Sequence, residues 1–457
     1  MSNFNNMDHL EESTLCKLSK MAEESGFIQP ELYLKYEVKR GLRDADGKGV
    51  LVGLTEIGDV HSYIMDEGEK VPVPGRLIYR GMDIREIVKG FVADNRYGFE
   101  ETAYLLLFGN LPDQNALKEF QEILSIYQKL PEDFARDVIL KAPSKDIMNT
   151  LARSVLALYA FDENPDDTSM QNVLKQCLRL IACFPSLAVY GYQAFSHYHG
   201  NQSLYIHSPR ADLSIAENIL AMLRPDSSYT KLEATLLDLA LVLHAEHGGG
   251  NNSSFVTHVV TSTGTDTYSA IAAAIGSLKG PRHGGANIKV VQMFEDMKDK
   301  LNDWEDDEEI AQYLTQLLSK DAFDRAGLIY GMGHAVYSIS DPRAVILKGY
   351  VAQLAQEKGL EDEFKLYAKV EKLAPQVIAK SSTMYKTVSA NVDFYSGFVY
   401  KMLNIPMEMF TPIFAISRIV GWSAHRIEEI ANSGKIIRPA YKSVAPRRKY
   451  IRINERL

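Results

Sequence analysis

Ile271 to Asn287, IAAAIGSLKGPRHGGAN, is the stretch around which the chain arranges itself. It opens as a helix of small residues. Ala272, Ala273, Ala274 and Gly276 let a second backbone come close, so a buried helix is expected. Gly280-Pro281 stops it. Gly284 and Gly285 then admit backbone angles that a Cβ disfavours. Beside them stands His283, in a loop too tightly made to be a casual connection. A lone histidine beside a turn is ordinarily a core residue. The weight of this one comes from its company: LHAEHGGGNN at 243–252, GMGHAV at 331–336, DPRA at 341–344, NVDFYSG at 391–397 and AISRIVGW at 415–422.

The bulk properties bound what these segments can serve. A chain of 457 residues is long enough for two or three domains and a large core. Hydrophobic residues make up 46% and charged residues 24%, a globular composition. With a net charge of −9, the surface as a whole does not attract nucleic acid, and an anionic ligand needs a local cationic cluster. Cys16, Cys177 and Cys183 form no CxxC pair, which points to a reducing compartment, with a cytoplasmic location expected. The same spacing argues against a structural zinc site or a disulfide frame. The opening MSNFNNMDHLEEST lacks an apolar core, so no signal peptide is expected. The apolar runs at 178–194 and 236–243 are short or broken, and no membrane span is expected.

The periodicity is helical almost throughout, so the fold class is all-α. Residues 1–40 read as a polar, amphipathic helical extension broken at Pro30. Residues 41–81 are glycine-rich with short β-like runs and predict a few small strands. GFEETAYLLLFGNLP at 98–112 is a helix stopped by Gly109 and Pro112, and Asp113 is placed to cap the next. Pro131, Pro143, Pro165, Pro185, Pro209 and Pro225 punctuate the helices that follow. The acidic run 299–309 reads as a solvated loop and helix start, and the basic run 435–452 as a solvated tail.

Five places could carry chemistry. His244 and His247 are three apart, not the four of a zinc-protease motif, and the glycines after His247 are expected to end its helix and leave the ring at a cleft. Gly331 and Gly333 precede His334 and free backbone amides for a ligand. Asp341 and Pro342 make an ordinary helix start for Arg343. Asp393 stands near a helix start, where capping is its plain role and acting as a base the sharper one. Arg418 is the only formal charge between Glu408 and His425, among Ile413, Phe414, Ile416, Ile419 and Val420. A guanidinium in so apolar a helix needs a partner, either a structural carboxylate or a bound one.

Taken together, LHAEHGGGN, GPRHGGAN, GMGHAV with DPRA, NVDFYSG and SR–VGW resemble the citrate synthase family, in its order and spacing from about Gly41 to Pro439. The resemblance implies a many-helix large domain, 1–285 and 406–457, with a smaller helical domain, 286–405, inserted in it and closing over the cleft. It implies an aldol-type condensation of acetyl-CoA with oxaloacetate, followed by thioester hydrolysis to citrate and free CoA. Asp393 would take the methyl proton, His283 would donate to the enolate oxygen, and His334 would polarise the oxaloacetate carbonyl. His247, Arg343 and Arg418 would hold oxaloacetate, with Arg438 supplied by the other subunit of a homodimer. Lys386 would contact CoA. No metal and no cofactor are implied, the CoA thioester being a substrate; nor is a nucleic-acid or membrane partner.

The sequence departs from the family pattern at Ser338, where many relatives have a CoA-binding Lys or Arg, and Arg282 is the candidate to compensate. The tail after Pro439 departs as well. Two other readings stay open: a 2-methylcitrate synthase using propionyl-CoA, since one methylene is worth only ~1–3 kcal/mol in an apolar pocket, and a non-catalytic protein binding CoA or a dicarboxylate on the same fold.

Overall fold

A computed structural model describes residues 12–44, 49–66, 69–334, 336–381, 388–432 and 434–456. Among them the chain forms seventeen α-helices and one three-stranded antiparallel sheet, in the order β1 (Gly58–Asp66), β2 (Glu69–Tyr79), β3 (Met82–Asp83). The all-α expectation holds, and the few strands fall where the glycine-rich stretch predicted them. Residues up to Leu54 form a compact unit of their own, with helices Glu12–Gly26 and Pro30–Lys35. Thr55–Leu457 forms the other. The boundaries expected at 286 and 405 both fall inside that second unit.

The helix Phe410–Ala431 runs through the middle of the second unit, and every residue from Phe410 to Arg426 is buried. A helix apolar on all sides must be enclosed on all sides. Met170–Gly200, Asn252–Thr261, Thr267–Lys279, Phe99–Phe108 and Lys231–His244 supply the enclosure. Met170–Gly200 corrects one expectation. Pro185 does not punctuate it; the helix continues through that residue, which is itself buried. A mid-helix proline forfeits one backbone hydrogen bond, and here the burial on both sides of it holds the helix together. This helix is long and apolar enough to cross a membrane by composition alone, but its apolar middle is packed inside the protein.

The opening stretch folds largely as read. Thr267–Lys279 is a helix capped by Asp266, and Gly280 ends it. Its close approach to neighbours lies on the Ala270 and Ala274 side, whereas Gly276 faces open space. Gly284 and Gly285 are needed for room rather than for unusual backbone angles. A Cβ on Gly284 would stand 2.3 Å from the Leu278 carbonyl oxygen, and one on Gly285 would stand 3.0 Å from that of Pro281.

The sheet meets the site segment at Gly75. Its N–H donates to the Ser340 carbonyl at 3.1 Å, and a Cβ there would lie 2.2 Å from that same oxygen. Backbone cannot retreat as a side chain can, so Gly75→Ala is expected to lower unfolding stability by ~1–3 kcal/mol. The urea midpoint at constant m-value measures it; an unchanged midpoint would show that the 340 segment yields freely.

Candidate active site

His244 is the last residue of the Lys231–His244 helix, and His247 lies in the segment just after it. That helix ends at His244, three residues earlier than expected, and Gly248 at φ +83° opens a turn closed by the Asn251 N–H on its carbonyl at 3.0 Å. His247 is buried, its Nε2 has no hydrogen-bond partner, and its ring packs edge-on 5.2 Å from the His334 ring. Burial first, then the charges of Arg343 and Arg418 among its neighbours, hold it well below the ordinary histidine range, so it is neutral.

His334 lies in the turn that Gly331 and Gly333 open, at φ +79° and +90°. The Gly333 amide does not wait for a ligand as expected. The Gly333 N–H bonds the Ser389 carbonyl at 2.8 Å, and the Gly331 carbonyl accepts from Asn391 at 2.9 Å. These bonds tie the histidine loop to the start of the Asp393 helix. His334 Nδ1 accepts from the Val336 N–H at 3.0 Å. A neutral ring in that position carries its proton on Nε2. The ring stacks on Tyr337 with centroids 4.9 Å apart.

Asp341 caps the helix Pro342–Lys358, as the sequence predicts, and does more. Its carboxylate grips Arg343 in two-point fashion, Oδ1 to Nε at 3.0 Å and Oδ2 to Nη2 at 2.7 Å. It also accepts the Val392 N–H at 3.1 Å. Arg343 therefore sits fully buried with its charge compensated from within the protein.

Capping of the helix Val392–Met402 falls to Asn391, whose Oδ1 accepts the Asp393 N–H at 2.9 Å. Asp393 is released from that duty, and its carboxylate carries no hydrogen bond or ion pair among the described residues. Burial raises its pKa to about 6, with Arg343 opposing, Asp341 adding to the rise, and Arg418 opposing.

Arg418 is 0% exposed. Its Nε donates to the His244 carbonyl at 2.6 Å, while Nη1 and Nη2 have no hydrogen-bond partner among the described residues. The Phe414 ring lies 4.7 Å beneath the guanidinium. Burial lowers its pKa to about 10, with Glu246 and Tyr79 opposing. Arg426, two turns along the same buried helix, is the control. It bonds Thr267 Oγ1, Thr261 Oγ1 and the Thr265 carbonyl at 3.1, 3.2 and 2.8 Å. The fold satisfies a buried guanidinium where it has to, and at Arg418 it leaves two nitrogens for something else.

His283 closes the set. Its Nε2 lies 3.1 Å from Ser253 Oγ, which also accepts from Trp422 Nε1 at 3.0 Å. Burial lowers its pKa to about 4, helped by the charge of Arg418, so the ring is neutral near pH 7. Ser253 was not singled out in the sequence; nothing in NNSS marks one serine over the other. Asp341 was read only as a cap, since a residue's distant partners leave no local signature.

The remaining candidates stand apart. Arg282 is exposed and lines a cavity of about 740 Å³ beside the His283 loop, together with Lys145, Lys279, Lys289 and Tyr330. Arg438 is exposed on the extended C-terminal segment, next to Ile437, whose N–H donates to Ser262 Oγ at 3.0 Å. Lys386 lies outside the described residues.

Over most of its length the chain is similar to known proteins. The profile of the family described as citrate synthase, C-terminal domain, matches residues 44–440. A citrate synthase of Synechocystis sp. is 34% identical over 367 residues, covering 80% of this chain and 84% of that protein. A 2-methylcitrate synthase of Shewanella oneidensis is 33% identical, covering 81% and 90%. Among solved structures, citrate synthase from Thermoplasma acidophilum superposes with a TM-score of 0.74 at 26% identity, covering 92% of this chain and 99% of that one. That structure is a complex with carboxymethyl coenzyme A and oxaloacetate. Citrate synthase from Pyrobaculum aerophilum gives a TM-score of 0.72 at 29% identity, covering 91% and 95%. With both the profile and the relatives spanning most of its length, the chain belongs to the citrate synthase family.

Proposed function

We propose that this site condenses acetyl-CoA with oxaloacetate and hydrolyses the product thioester, through the residues described above. Family membership makes the chain a transferase of the citrate (Si)-synthase type; the division of labour among residues is the proposal. The observation that carries it is the buried Arg418 guanidinium with two unpartnered nitrogens. Paired donors in a fork match a carboxylate in geometry and charge, so oxaloacetate is assigned there, with Arg343 and the unpartnered Nε2 of His247 beside it.

Asp393 takes a proton from the acetyl methyl group. The electron pair left on carbon spreads onto the thioester oxygen, which accepts a hydrogen bond from His283. For that bond to come from Nδ1, Nε2 must accept from Ser253, whose Oγ also lies 3.0 Å from the Asn251 side-chain amide; that amide must then turn its NH2, not its oxygen, towards the serine. The enolate carbon attacks the oxaloacetate carbonyl, whose oxygen receives the Nε2 proton of His334, and the proton held by Asp393 returns to that ring to close the cycle. Water then cleaves citryl-CoA to citrate and CoA thiol. Preorganised donors of this kind supply ~3–4 kcal/mol each, and the reaction as written needs no redox or group-carrying cofactor.

His334, Arg343 and Asp393 lie within 286–405, as does Lys386 by its number, whereas His247, His283, Arg418 and Arg438 lie outside it. Helices Ala286–Lys300, Pro342–Lys358, Glu361–Ser381 and Val392–Met402 pack on one another. We assign this segment as the part that closes on the substrates and excludes water. The cavity rimmed by Lys145, Lys279, Arg282 and Lys289 is the proposed seat of the CoA phosphates, with Arg282 standing in for the missing cation at Ser338. The homodimer, with Arg438 reaching the partner's site, and a cytoplasmic location complete the reading. The three free cysteines support a reducing compartment.

Thiol release with oxaloacetate and either acetyl-CoA or propionyl-CoA tests the whole: acetyl-CoA is expected to be preferred, and the reverse order makes the enzyme a 2-methylcitrate synthase. Asp393→Asn is expected to reduce turnover at least ~100-fold. In the parent, kcat/KM falls as pH drops through about 6, where the base becomes protonated; the variant has no such limb. At pH 8 the variant should melt at or above the parent temperature, because burial opposes the ionised carboxylate. Parent-like turnover in the variant removes Asp393 from the role.

Arg418→Leu is expected to stay folded, or gain stability, while losing the rise in melting temperature that oxaloacetate gives the parent. Loss of folding with oxaloacetate affinity intact would instead make Arg418 structural.

Arg438 is tested by refolding an equal mixture of Asp393→Asn and Arg438→Ala chains. Mixed dimers hold one complete site if the arginine crosses the interface, so about a quarter of parental activity should return. No recovery, with heterodimers demonstrated, assigns Arg438 to its own chain.

A further inference from the structure

Away from the substrate groups, four side chains join in a row: Glu246, His425, His258 and Glu429. His425 Nε2 lies 3.0 Å from Glu246 Oε1, and His258 Nδ1 lies 2.8 Å from Glu429 Oε2. A carboxylate only accepts, so each ring commits its N–H to that end of the row. The other two nitrogens, His425 Nδ1 and His258 Nε2, then face each other at 3.1 Å. In neutral rings both are lone pairs, and the fold holds them together with nothing attractive between.

A third atom points the same way. Glu428 Oε2 is buried without a hydrogen bond and lies 3.9 Å from His425 Nδ1. Its other oxygen is held by the Glu56 N–H at 2.8 Å. The ligand atoms of His258, His425 and Glu428 all fall within 4.8 Å of one another.

We propose that His258 Nε2, His425 Nδ1 and Glu428 Oε2 bind a divalent transition-metal ion, of which Zn²⁺ is the simplest example. Bonds of about 2.1 Å set tetrahedral ligand atoms roughly 3.4 Å apart, so the nitrogens fit almost as they stand and the carboxylate moves inward by about 1 Å. Two imidazoles with one carboxylate suit such an ion better than Mg²⁺ or Ca²⁺, which prefer oxygen throughout. Each imidazole already donates its second N–H to a carboxylate, the outer partner that fixes the tautomer and raises ligand basicity.

The site uses no cysteine, so the cysteine spacing that argued against zinc does not bear on it. Its role is structural. It joins the Asn252–Thr261 helix, the Phe410–Ala431 helix and the chain entering β1 at Glu56. Through Glu246 it also steadies the turn that carries His247. No step of the condensation passes through it.

Chelator-treated protein titrated with Co²⁺ tests this directly. Expected are one Co²⁺ per chain with visible ligand-field absorption, its displacement by Zn²⁺, and a higher melting temperature with Zn²⁺ than without. His258→Gln and Glu428→Gln should each bind Co²⁺ at least ~10-fold more weakly and lose the Zn²⁺-dependent rise. If His258→Gln does not fold, Glu428→Gln carries the comparison alone. No stoichiometric binding by the parent overturns the proposal, as does undiminished binding by the folded variants. A parent that binds no metal, yet whose melting temperature depends on pH in a way that His258→Gln abolishes, assigns the gap to a shared proton and overturns it too.

Discussion

The site depends on one unmet demand: a guanidinium taken fully out of water and given a single backbone carbonyl in return. Removing an ion from water is costly enough that proteins either pair it or leave it outside. This protein shows that it can do the former within the same helix, since Arg426 reaches two hydroxyls and a carbonyl. Arg418 is different because the side of the helix it occupies faces His244, His247 and Asp393, and of these only the His244 backbone carbonyl offers it a bond. Enclosure by the surrounding helices holds the cation in place, and so the folding free energy of the whole core maintains a locally unfavourable group.

That arrangement sets the protonation states around it. Arg418 helps to lower His283 and His247 and opposes the rise at Asp393, while burial is the larger influence on all three. The outcome is a set of neutral imidazoles beside a carboxylate of raised basicity. Neutral imidazole is a weaker acid than imidazolium, but it can donate a hydrogen bond to a developing oxyanion without first losing its proton to the nearby carboxylate. The same burial that makes Arg418 expensive thus gives the carboxylate and the rings complementary roles.

Much of this was legible in the sequence because it was written locally. Arg418 stood out as a charge in an apolar helix, and DPR declared a helix start. The helical class followed from periodicity, and the strands from glycine-rich punctuation. What was misread depended on neighbours far along the chain. Pro185 looked like a stop, but the packing around Met170–Gly200 carries the helix through it. Gly284 and Gly285 looked like sites of unusual backbone angle, but they are small because Leu278 and Pro281 carbonyls are close. Gly333 looked like a ligand donor, but its amide is spent on Ser389. Ser253 and the second duty of Asp341 could not be read at all, since a hydrogen bond across the fold has no signature in sequence. The roles of the site residues came from family resemblance; the geometry adds the reasons they suit those roles.

Asp341 has one more consequence. By gripping Arg343 it cancels that residue's charge inside the protein. Taken together, Arg343 and Arg418 bring two positive charges, and Asp341, Glu246 and Asp393 bring three negative ones when ionised, a balance of 2 − 3 = −1. An incoming dianion would face a pocket that already leans negative. Electroneutrality therefore asks for positive charge from beyond these five side chains.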